Sequence, residues 1–209
     1  MNRLILVLMV TAIGFLPATQ AAAPTPDQTV RETTDHILAL IRKNRALYQN
    51  DHRKLYAMVD QHVLPHFDFR KMSALVLGSN WREADVAQRE RFIGEFRQLL
   101  VRTYATALLK YNDEKVVFLP YRAPLSDDRT VSVKTEVRRS GQAPIPIHYE
   151  FYLNRDGEWK VYDVSIEGVS IVTSYTNTYA ERVRRDGLDK LIASLSQDNR
   201  GGKPGGTRQ

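Results

Sequence analysis

The chain has 209 residues, of which 43% are hydrophobic and 26% charged, with no cysteine and a formal net charge of +6. Without cysteine there is no disulfide framework and no thiol nucleophile, and the length suits one domain with a sizeable core better than two. The positive balance favours acidic partners, such as anionic lipid headgroups or an acidic protein surface.

The first residues set the compartment. Arg3 supplies a positive start, Leu4 to Leu16 is almost unbroken apolar sequence, and Pro17-Ala18-Thr19-Gln20-Ala21 ends on small residues. The run is shorter than the roughly 20 residues of a membrane-spanning helix and reads as a signal peptide over 1–21. The expected product is a soluble exported monomer, which argues against nucleic acid as the partner.

Residues 22–196 are expected to form the folded domain. Thr25 and Gln28 have capping-box spacing with Pro26 between them, and Val30, Ile37, Leu38 and Ile41 give the first helix one apolar face. The pattern loosens from Asn44 to Asn50, and a shorter helix restarts at Asp51 and ends by Pro65. Asp68 is placed to cap a third helix bearing Phe69, Met72 and Val76, closed by Gly78. Asp85 and Gln88 repeat the capping-box spacing before a long helix expected over Val86 to Tyr111.

From Lys115 the period changes to alternation. Val116 to Leu119, Val131 to Val137 and Ile145 to Leu153 read as strands, and Asn154-Arg155-Asp156-Gly157 as a hairpin turn into Trp159. From Trp159 to Tyr179 a strand with apolar groups on both faces hands over, through Gly168, to a helix that Ser170 can cap. Gly187 stops that helix, a short one covers Leu188 to Leu195, and 197–209 is expected to be a disordered basic tail. The order predicts an α+β domain: a curled antiparallel sheet of about four strands with helices on one face.

Catalytic patterns fail on geometry. Gly168-Val169-Ser170 lacks the second glycine of a nucleophile elbow, since Val172 stands there. His62 and His66 have Pro65 between them and no third histidine close in sequence, so a metal site is not expected. Asp163 and Glu167 along an extended strand stand about 13 Å apart, too far for a paired-carboxylate glycosidase. Asp163 is instead expected to anchor backbone or an arginine. What remains is apolar. The sheet offers Val133, Ile147, Tyr149, Phe151, Val161 and Val164, and the helices offer Met72, Leu75, Leu99, Leu100, Tyr104, Leu108, Val172 and Tyr175. Periodicity alone leaves open whether these fill a core or line a hollow.

Several of these residues sit in recognisable motifs. Leu64-Pro65-x-Phe67-x-Phe69, Ala74-Leu75-Val76-Leu77-Gly78, Gln88-Arg89 before a helix with Phe92, Phe96 and Tyr104, and Tyr162-Asp163-Val164-x-x-Glu167-Gly168-Val169-Ser170 together resemble the MlaC, or toluene-tolerance auxiliary, family of periplasmic phospholipid-binding proteins. The resemblance runs from about Pro26 to Leu195. It implies a non-enzymatic shuttle that needs no cofactor and carries phospholipid as cargo between an outer-membrane lipoprotein with porin and the MCE-domain subunit of an inner-membrane ABC transporter, keeping the outer membrane asymmetric. A hopanoid-associated branch of the family keeps another apolar lipid as the alternative cargo.

The resemblance also implies a cavity between sheet and helices. Motif position puts Val169 with Ile166, and Leu75 with Val76, on its wall, with Gly168 and Gly78 as turn residues and Asp163 as the anchor. Tyr104 and Leu108 join by their helical face. Met72, Leu100, Val133, Ile147, Tyr149, Phe151, Val164, Val172 and Tyr175 complete the expected lining. Arg82, Arg89, Arg91 and Arg97 are the expected docking face for partners.

Overall fold

A computed structural model describes residues 24–111, 114–125 and 127–201. The signal-peptide segment and most of the expected tail therefore lie outside the described residues.

The helices come first. α1 (Pro26–Asn50) begins at the Thr25–Gln28 capping box and kinks at Asn44, whose φ of −120° leaves the helical region. α2 (His52–His62) is capped by Asp51, and a single 3-10 turn at Leu64–His66 leads to α3 (Phe69–Leu77). The Asp68 carboxylate accepts the Lys71 backbone N–H at 2.8 Å, satisfying one of the amides a helix start leaves open. Trp81 lies in the short α4 (Asn80–Glu83), and α5 (Val86–Tyr104) starts at the Asp85–Gln88 box.

α5 is shorter than expected. It gives way at Tyr104 to a 3-10 segment, Ala105–Lys110. The Arg45 guanidinium donates to the carbonyls of Leu109 at 2.7 Å and of Tyr111, satisfying acceptors that no further helical turn would use.

The sheet follows as a meander: β1 (Lys115–Phe118), β2 (Thr130–Arg138), β3 (Ile145–Leu153), β4 (Trp159–Ile166) and β5 (Val169–Ser170), antiparallel in that order. The fifth strand is two residues long and pairs back onto Ser165 and Ile166. β4 does not carry apolar groups on two faces as its sequence suggests. Phe151 pairs with Val161 but Glu150 with Asp163, so Tyr162 is an extra residue in a bulge. The bulge resets the alternation and puts both Val161 and Val164 on the core side, at 2% and 7% exposure.

The last helices close the domain. α6 (Ile171–Asp186) packs on α3 and β4, and α7 (Leu188–Gly201) lies along α5. α7 runs further than the expected stop near Leu195. Asn199 is only 2% exposed and donates to the carbonyl of Glu95 at 3.0 Å and to its carboxylate at 2.7 Å, while Arg102 donates to the Asn199 carbonyl. The last turn is held by polar contacts, which a hydrophobic pattern does not reveal.

The helical core is aromatic. Phe92 and Phe96 stack with centroids 5.6 Å apart, and Phe96 meets Tyr175 edge-on at 5.3 Å. Beneath them Leu191, Ile192 and Leu195 of α7 are buried. α3 also hooks over the sheet edge: Asp68 N–H donates to Val161 O at 2.9 Å, beside a bridge from Phe67 to Val161. Among the described residues no helix is long and apolar enough to cross a membrane.

Candidate functional site

The hairpin between β4 and α6 is fixed by backbone geometry first. Glu167 and Gly168 both have positive φ, 53° and 81°, the sign a tight two-residue hairpin requires. A side chain at 168 would meet nothing within 4 Å, so the glycine answers a torsional need and not a lack of space. Gly78, with φ of 56°, serves the same purpose at the end of α3.

Asp163 then ties the hairpin together. Its carboxylate accepts the Val164 N–H at 2.8 Å, the Val172 N–H at 3.0 Å and the Ser170 hydroxyl at 2.5 Å. It therefore binds backbone and a serine, with no arginine needed, and it places a negative charge at the first turn of α6. Ser170 in turn accepts from Thr173 N–H at 3.0 Å. Its hydroxyl is engaged in capping on both sides, as a donor to Asp163 and as an acceptor from the helix.

Strand register sorts the expected lining residues into rows. Val131, Phe151 and Val161 form one row across the inner face, Val133, Tyr149 and Val164 the next, and Phe118, Thr135, Ile147 and Ile166 the third. In the first row Phe151 and Val161 are 0% and 2% exposed and Val131 is half-buried, whereas in the third Thr135 is 1% exposed and Phe118, Ile147 and Ile166 are half-buried. Half-buried apolar side chains thus become more frequent toward the β4–β5 hairpin, where Val169 is 61% exposed. Tyr149 stands at the transition, half-buried, with its hydroxyl pushed up by burial and pulled partly back by a hydrogen bond with Thr135.

The helical side divides in the same way. Met72, Val76, Leu100, Val172 and Tyr175 are packed against protein and buried, whereas Leu75 at 43%, Tyr104 at 37% and the half-buried Leu108 retain open apolar surface. Thr176 Oγ1 approaches the Leu75 carbonyl at 3.5 Å, which sets the end of α3 against α6. Tyr104 interacts with the hydroxyl of Tyr175, and burial raises both phenols. The sequence reading therefore joined two populations. Met72, Val76, Leu100, Val133, Phe151, Val164, Val172 and Tyr175 are the packed floor. Leu75, Tyr104, Leu108, Ile147, Tyr149, Ile166 and Val169 keep accessible surface.

The sequence reading missed Phe118, whose place in the open row depends on its pairing with Thr135. The proline-broken loop after β1 hides that register. Three of the arginines expected to dock partners also have partners within the chain, the ion pairs of Arg91 and Arg97 being solvent-exposed. Arg89 donates to the Trp81 carbonyl at 2.9 Å, Arg91 binds Asp189 at 2.7 Å and Arg97 binds Asp60 at 2.6 Å. Two surface clefts of about 310 and 240 Å³, which share Arg97, contain none of the expected lining residues.

Comparison with known proteins agrees with this architecture. A family model described as "MlaC protein" matches residues 31–197. The "Intermembrane phospholipid transport system binding protein MlaC" of Haemophilus influenzae is 27% identical over 195 residues, 92% of this chain and 90% of that one. The "Toluene tolerance protein ttg2D" of Pseudomonas putida is 29% identical over 187 residues, 88% of this chain and 86% of its own length. A structure of the phospholipid-binding protein from Ralstonia solanacearum, solved in complex with a phospholipid, superimposes with a TM-score of 0.77 at 30% identity, covering 86% of this chain and 99% of that one. With an α+β fold, an inner face that opens beside an exposed valine, and a family match over most of its length, this chain belongs to the MlaC family.

Proposed function

We propose that the chain is a phospholipid-binding shuttle that works in the periplasm, and that the surface from Ile147 and Tyr149 through Ile166 and Val169 to Leu75, Tyr104 and Leu108 receives the acyl chains. The supporting observation is the match in fold, nearly end to end, to a protein solved with phospholipid bound. The open apolar row beside Val169 gives such a lipid a place to enter.

The energetics demand enclosure. Two sixteen-carbon chains hold about 30 methylenes, and at about 0.8 kcal/mol each their exposure costs about 24 kcal/mol. Leaving even about five uncovered costs about 4 kcal/mol, close to a thousandfold in affinity. The half-buried side chains must therefore separate or rotate to admit both tails, while the headgroup stays hydrated. Because lipid passes from one apolar medium to another, the partners set the direction of transfer. The partners proposed are an outer-membrane lipoprotein with porin and an MCE-domain subunit of an inner-membrane ABC transporter. The Ser170 hydroxyl is engaged in capping, and the chain is proposed to bind cargo without chemistry and without a cofactor.

Native mass spectrometry of protein from a Gram-negative periplasm tests this reading. The expected result is a phospholipid-sized mass increment, lost in Val169→Glu, which puts a charge where the tails pass. Ligand-free protein that also takes up no lipid from vesicles would overturn it.

A further inference from the structure

The ring partner of His62 is not His66, four residues on, but His36, which the fold brings over from α1. The two imidazole centroids lie 4.7 Å apart with their planes at 66°. This contact is not core packing. His36 is exposed and His62 half-buried, whereas Ile37, next in sequence, takes the inward position at 4% exposure. The pair sits at the end of α2 remote from the turn at Asp51, where nothing covalent holds the two helices together. None of the residues proposed to receive acyl chains lies on either helix, so the pair stands apart from the cargo surface.

The ring separation sets the chemistry. With a metal–nitrogen bond of about 2.0 Å, the centre of a coordinated imidazole stands about 3.2 Å from the ion, so two such rings at about 90° to about 109° around it are separated by about 4.5 to about 5.2 Å. The observed 4.7 Å falls inside that range. The second side-chain torsion of histidine is broad, so the ring nitrogens can turn to a common point without movement of either helix. Glu32, exposed one turn before His36 on the same face of α1, adds a negative charge that favours a cation. Imidazole ligands suit zinc, copper and nickel, and hard cations such as magnesium prefer oxygen. No three metal-ligating side chains converge among the described residues, so water completes the coordination shell. We infer that His36 and His62 together bind a divalent transition-metal ion of the zinc class, which clips the end of α2 to α1.

The test titrates chelator-treated, tag-free protein with zinc chloride by calorimetry at about pH 7.5, where imidazoles are largely neutral. One ion per chain is expected, with no uptake of magnesium. His36→Gln and His62→Gln should each weaken zinc binding by more than about tenfold, since even the loss of an outer-shell partner costs that much, whereas His66→Gln should leave it unchanged. Zinc at about a hundredfold over the parent's dissociation constant should raise the parent's melting temperature by about 7 °C and those of the His36 and His62 variants by less. In chelator all of these variants should melt near the parent, so that a loss of binding reports ligation and not unfolding. No saturable zinc uptake by the parent, uptake retained in both His36→Gln and His62→Gln, or an equal loss in His66→Gln would overturn the inference.

Discussion

Asp68 and Asp163 do comparable work along β4, each joining the sheet to a helix start. Asp68 accepts from the Lys71 amide and from the Tyr152 hydroxyl, and Lys71 lies over the Tyr152 ring at 4.1 Å. Burial, with the Asp68 carboxylate as the next cause, pushes the Tyr152 phenol up to about 12 from 10.0. A folded-state pKa above the unfolded one gives stability that is complete below pH 10.0 and is lost as pH rises toward about 12. Tyr152→Phe should cost about 1 kcal/mol in urea unfolding at pH 7, and the variant should lose less stability than the parent across that alkaline window. Asp163→Ala strands the Val164 and Val172 amides and the Ser170 hydroxyl. A loss of about 3 kcal/mol is expected by the same measurement, with Asp163→Asn recovering part of it through its remaining acceptor oxygen. That Asp163 is structural was legible from its setting among apolar strand residues. Its partners were not, because they depend on a hairpin that returns the chain beside it.

Among the elements, capping chemistry was the most legible part of the sequence. Thr25, Asp51, Asp68, Asp85 and Ser170 each stand where a helix begins. Such signals are local, confined to about one turn, so no tertiary information is needed to read them. Three features were hidden for the opposite reason. The bulge at Tyr162 depends on what lies across from β4, the break after Tyr104 on Arg45 arriving from α1, and the end of α7 on Glu95 and Arg102 of α5. The last of these gives a direct check. Asn199→Ala should cost about 2 kcal/mol in thermal or urea unfolding by leaving the part-buried Glu95 groups and the space of the buried amide unmatched, whereas a residue in a disordered tail would cost nothing.

At the scale of the molecule, a lipid site that opens between half-buried side chains would have a thermodynamic consequence. A ligand bound only by the folded state stabilises it by mass action. Lipid at about a hundredfold over its dissociation constant adds about 2.7 kcal/mol, which for a domain of this size raises the melting temperature by about 7 °C. Delipidated protein should therefore melt lower than protein reloaded from vesicles. Identical melting of the two, with loading verified by mass, would mean that this wall does not hold the lipid.

By itself the sequence determined the order of the main helices and the first four strands, the residues that begin α1, α2, α3, α5 and α6, the absence of thiol chemistry, and the motifs that place the chain among phospholipid carriers. These are properties of neighbouring residues or of composition. Only the tertiary structure decided which apolar residues are buried and which keep accessible surface, because Phe151 and Ile147 have the same strand phase and similar hydropathy yet differ in what lies opposite them. It also decided which carboxylates the long-helix arginines meet, since Asp189 and Asp60 reach Arg91 and Arg97 from other helices. Charge is written in the sequence, but whether a charge is free depends on the groups that folding brings within reach.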